Sequence, residues 1–136
     1  MSIGWVGAST RARLLLRRRI GAERAAQLAR SLSLPEALLG LTGTAYGREL
    51  DPGLELEDAQ REVAAATLLH FRLLAGWLPP GSAEFLRSLV GWYELVNVED
   101  RLAYLHGAEL RQPFDLGGLA SVWPRASRIV PRRCAV

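Results

Sequence analysis

Trp5, Ala8, Ala12 and Leu15 recur at spacings of three and four, which places them on one face of a helix, while Arg11, Arg13, Arg17 and Arg18 fall on the other faces. The spacing predicts a first helix over roughly Val6 to Arg19. Gly21 interrupts it, and Glu23 to Arg30 is rich in strong helix formers, so a second short helix follows. Ser33-Leu34-Pro35-Glu36 reads as a capping box. Ser33 accepts from a first-turn N–H, Glu36 reaches back, and Pro35 loses no donor that the first turn needs. A third helix is expected from about Leu34 to Leu41. Thr42 to Gly53, dense in Gly, Thr and Asp-Pro, is a connector.

Beyond the connector, Glu55, Glu57 and Asp58 sit where carboxylates complement a helix dipole. Ala59, Val63, Ala66, His70, Leu73 and Trp77 then repeat at four and three, the most regular helical stripe in the chain. Leu78-Pro79-Pro80-Gly81 ends it, because neither proline continues a helix ladder. Ser82 is placed to cap the next helix, with Glu84 in its first turn. Phe85, Leu89, Trp92 and Val96, then Leu95, Val98, Leu102 and Leu105, form an apolar band that runs to about His106 and stops at Gly107. Two long helices joined by so short a turn predict an antiparallel pair. No period-2 strand of useful length is visible. The expected fold is all-α, a helical bundle built around a long antiparallel helix hairpin, in a single domain over residues 1–126. Residues 111–118 read as a loop, Leu119 to Trp123 as the start of one more helix, and residues 127–136 as an irregular C-terminal tail.

Composition narrows the class. With 136 residues, 49% apolar and 23% charged, the chain is the size of one compact domain and carries enough apolar surface to fold. The formal charge of +3 hides a segregation. Residues 1–30 hold seven arginines against Glu23 alone, whereas residues 31–124 hold six arginines against thirteen acids, so the start is basic and the middle acidic. Charge-free runs such as Val63–Phe71 and Leu73–Ala83 are far short of the roughly 20 residues of a membrane crossing. The start lacks a basic segment followed by an apolar run and a cleavage site, and a cytoplasmic location is expected. Cys134, the single cysteine, has no partner for a disulfide and no neighbour at metal-ligand spacing.

Candidate chemistry is sparse. His70 and His106 have no Cys, Asp or Glu at ligand spacing on their own helix face, and both read as packed or capping histidines. There is no phosphate-cradling glycine loop with a lysine, since every basic residue is Arg, and Gly117-Gly118 reads as a turn. Arg17-Arg18-Arg19 suits either a solvated helix end or a grip on phosphate or an acidic surface. Asn97 is the odd polar residue beside the apolar band, equally consistent with a buried register-fixing hydrogen bond and with exposure. Trp5, Trp77, Trp92, Trp123 and Tyr93 read as core or interface anchors. No catalytic, cofactor-binding or metal-binding residue is assigned.

Three blocks resemble the V-type ATPase subunit that joins the rotor stalk to the membrane ring, called C in archaeal-type and d in eukaryotic enzymes. Arg11-Ala12-Arg13-Leu14-Leu15, followed by the second helix and Leu34-Pro35-Glu36-Ala37-Leu38, is similar to the family's opening. Thr42-Gly43-Thr44-Ala45-Tyr46-Gly47 resembles its Thr-Pro-Tyr-Gly turn, with Ala45 in place of Pro. Phe85-Leu86-Arg87 through Trp92, Glu94, Asn97 and Leu102 is similar to its helix with a near-central Asn. The resemblance covers roughly residues 5–125. It implies a part of a helical funnel built of three related segments, of which this chain, reading as truncated, supplies little more than the first. It also implies a non-enzymatic role in proton transport through contacts with the central stalk and the membrane ring of a rotary ATPase. No small-molecule substrate is implied, and membrane association would be peripheral, through partners. The alternative is an Arg-rich helical nucleic-acid-binding module, although no exposed face of base-reading side chains accompanies the arginines.

Overall fold

The computed structural model describes residues 3–47, 50–79 and 81–121, and every regular element among them is helical. The all-α class is thus established. The described residues fall into two compact units, divided between Leu78 and Pro79.

In the first unit α1 (Ile3–Arg18), α2 (Gly21–Leu28), α3 (Leu34–Leu41) and α4 (Leu56–Ala75) follow in chain order. α1 packs on α4, and α2 on α3. Ala8, Leu38, Ala59 and Leu68 are the buried apolar side chains of this unit. The Trp77 indole lies against Gly7 of α1, where a Cβ would stand 3.4 Å from Cε3, in ordinary contact. One turn further on, the Arg11 guanidinium lies 4.6 Å from the centroid of the same ring. The capping box of α3 forms with one change. Ser33 Oγ accepts from the Glu36 N–H at 3.4 Å, while the Glu36 carboxylate accepts from Leu32 N at 2.9 Å, one residue earlier than the motif prescribes.

The second unit is α5 (Glu84–Leu105) and the chain that returns beside it, which makes one 3-10 turn at Gly117–Leu119. Leu86 and Val90 of α5 are buried, as are Phe114, Leu116 and Leu119 of the return segment. α5 ends in a Schellman motif: Ala108 N–H donates to Ala103 C=O at 3.0 Å and Gly107 N–H to Tyr104 C=O at 3.0 Å, with Gly107 at φ +97°.

Several expectations are corrected. Ser82 does not cap α5: its N–H donates to Pro79 C=O at 3.0 Å in a turn through Gly81 at φ +82°, and the cap position falls to Ala83, whose side chain has nothing to offer. The stripe on α4 is displaced, because Leu73 and Trp77 are exposed while Leu68, off the stripe, is buried. On α5 the expected band is largely the solvent side: Phe85, Leu89, Trp92, Leu95 and Leu102 are exposed. Apolar residues surround this helix, so spacing alone does not select the packed face. Leu119 ends a 3-10 turn and Ala120 after it is extended, so no helix begins at Leu119; the last two residues of that expected helix, 122 and 123, lie outside the described residues. Trp123, Cys134 and the expected tail over 127–136 lie outside the described residues. No described helix is long and apolar enough to cross a membrane.

Candidate functional site

α5 carries two faces with different tasks. Its inner face presents Leu86, Val90, Glu94 and Asn97 at spacings of four, four and three, all buried. Asn97 is 0% exposed and grips the main chain of Phe114 from both sides: its Nδ2 donates to Phe114 C=O at 2.9 Å, and its Oδ1 accepts from Phe114 N–H at 2.7 Å. A carboxamide has one donor and one acceptor in the geometry of a peptide group, so it supplies an extended segment with the partners a neighbouring strand would give. The Tyr93 ring meets the Phe114 ring edge-on at 5.2 Å. Glu94, one turn before Asn97, does the same work on Ser121, accepting from its N–H at 2.7 Å and from its hydroxyl at 2.8 Å. Both polar side chains are buried with hydrogen-bond partners in the main chain of the return segment. Of the two readings of Asn97, the buried hydrogen bond is the one realised. Glu94 went unrecognised as a buried acceptor, although its place three residues from Asn97 on one face was a usable signal.

The outer face of α5 is apolar and uncovered. Phe85 is 71% exposed and Trp92 70%, with Leu89 between them on the same face and Leu95 and Leu102 further along. Glu84 and Arg87 form an ion pair one turn apart at its start. Phe85, Leu89 and Trp92 thus leave an apolar stretch of α5 open to solvent.

The remaining sequence candidates are divided between the two units. His106 is the exposed C-cap of α5. His70, half-buried on α4, meets the Tyr46 ring edge-on at 6.2 Å. Burial holds the His70 pKa below the usual histidine value, and the positive charge of Arg18 lowers it further. Arg17 and Arg18 end α1, and these two and Arg19 are exposed. Among the described residues no group of three or more His, Cys, Asp and Glu side chains is placed to hold a metal ion. In comparisons with known proteins, the chain matches no family model, no curated protein and no solved structure.

Proposed function

We propose that the chain is a non-catalytic helical subunit similar to the C/d subunit of V-type ATPases, linking a central rotor stalk to a membrane ring through protein–protein contacts. This includes the finer architecture, an antiparallel hairpin of α4 and α5 within a funnel of related segments, and a cytoplasmic place beside the membrane held through partners. The uncovered outer face of α5 carries the proposal. It lies in one of the three blocks of sequence that carry the resemblance, and burying a Phe or Trp side chain against a partner contributes about 2–3 kcal/mol each. The inner clamps support it, because Asn97 and Glu94 hold the return segment without drawing on the outer face.

The test is reconstitution with purified stalk and ring subunits of a rotary ATPase. Stable co-elution, lost in Phe85→Ser/Trp92→Ser while helicity by circular dichroism is kept, is the expected result. A chain that stays alone in the presence of both partners overturns the proposal.

One observation favours a second reading, the Arg-rich nucleic-acid-binding module: Arg11, Arg13, Arg17, Arg18 and Arg19 are all exposed. That reading requires DNA or RNA affinity that falls steeply with salt.

A further inference from the structure

The end of α1, the start of α2 and the connector after α3 enclose a cleft of about 440 Å³ lined by Arg18, Arg19, Ile20, Arg24, Gly43, Thr44 and Ala45. Three of these side chains are guanidinium groups and none is acidic. The volume falls within the range of small-molecule sites, about 300–1,000 Å³.

The walls are fixed from within the first unit. Arg24 donates from Nη2 to Gly40 C=O at 2.9 Å and from Nη1 to Gln27 Oε1 at 3.3 Å, which orients its guanidinium without the use of a counter-charge. Thr44 donates its hydroxyl proton to Leu41 C=O at 2.6 Å and accepts from Tyr46 N–H at 3.2 Å, and Gly43 takes φ +81°, so the facing turn has a set shape. The side chains of Arg18 and Arg19 make no hydrogen bond or ion pair among the described residues. A concave, positively charged surface with unclaimed guanidinium forks concentrates anions, and paired forks match phosphate oxygens better than single charges do.

We propose that this cleft binds a small phosphate-bearing ligand of diphosphate size or larger, with Arg18 and Arg19 gripping its oxygens and Arg24 supporting them. A single orthophosphate fills little of the volume and meets few of the donors. The site lies wholly in the first unit and is independent of any contact made by α5, so its fate and that of the proposed subunit role are separable. Arg18 also supplies a built-in reporter. Its charge acts on His70, and a bound anion at Arg18 counters that charge and returns the His70 pKa toward the ordinary value.

The experiment uses the full chain with inorganic pyrophosphate as probe, read by calorimetry and by NMR titration of His70. Saturable one-site binding, with the His70 pKa raised, is expected. Arg18→Gln/Arg19→Gln should weaken binding about tenfold or more with unchanged circular dichroism. Arg13→Gln, off the cleft, should bind as the parent does. The proposal is overturned by the absence of saturable binding at millimolar pyrophosphate, or by equal losses in the cleft variant and Arg13→Gln, which would mark diffuse attraction. It is equally overturned if an oligonucleotide binds tightly and pyrophosphate does not displace it, which would assign these arginines to a nucleic-acid surface.

Discussion

Asn97 and Phe114 are seventeen residues apart in sequence and share two hydrogen bonds in a fully buried setting. Asn97→Ala leaves both main-chain groups of Phe114 without their partner, at about 1–3 kcal/mol for each buried group stranded. A loss of about 3 kcal/mol in urea unfolding is expected. A loss under about 1 kcal/mol would show that water reaches the site and that the clamp is dispensable. His70 answers to pH in the opposite sense to a salt-bridged histidine. Its folded-state pKa lies below the unfolded one, so the unfolded chain binds more protons between the two values and stability rises with pH across that window. The contribution is complete above the ordinary histidine value and is lost as pH falls toward the folded-state pKa. His70→Gln should therefore flatten the stability profile on the acid side of neutrality, and Arg18→Gln should move the His70 midpoint upward in an NMR titration. An unchanged midpoint in Arg18→Gln would remove Arg18 as a cause.

Among the elements, the turn after α3 makes the most exacting use of its sequence. Gly47 is buried, and a Cβ on it would sit against the Leu41 carbonyl, a backbone group that cannot step aside. Gly47→Ala should cost more than about 1 kcal/mol, a larger loss than at Gly53, where the nearest atom is a side-chain oxygen of Asp51. Equal losses at the two glycines would show that the turn yields. How much of this was legible follows the range of each signal. The boundaries of α3 could be read from Ser33, Pro35 and Glu36 because capping is local, and the stop of α5 from Gly107 for the same reason. The packed face of α5 could not, because Phe85, Leu89 and Trp92 compete with Leu86 and Val90 in any count of apolar spacing. What decides between them is a distant segment whose backbone requires Glu94 and Asn97 beneath it. The arginine cleft was half legible: Arg17-Arg18-Arg19 stood out, while the facing turn of Gly43, Thr44 and Ala45 joins it only through the fold.

Across the whole molecule, the described tryptophans behave alike. Trp5 and Trp77 in the first unit are 47% and 49% exposed, and Trp92 in the second is 70% exposed, so none of them is a core anchor. Stability and surface chemistry are thereby separable by substitution. Leu86→Ala or Val90→Ala removes buried methyl groups and leaves a cavity, and for a residue such as Leu86 the cost is about 2–5 kcal/mol. Phe85→Ser/Trp92→Ser touches no packed contact of the inner face and should change the unfolding free energy measured in urea by about 0.5 kcal/mol or less per substitution. Covering α5 with a partner should move the Trp92 contribution to the fluorescence to the blue, a change that the double variant, which lacks Trp92, should not show. Sedimentation run alongside separates a foreign partner from a second copy of the chain, because self-association shifts the emission with protein concentration alone. Should the double variant instead unfold as readily as Leu86→Ala, the outer face of α5 would have to be part of the folded core, and an interface there would be ruled out.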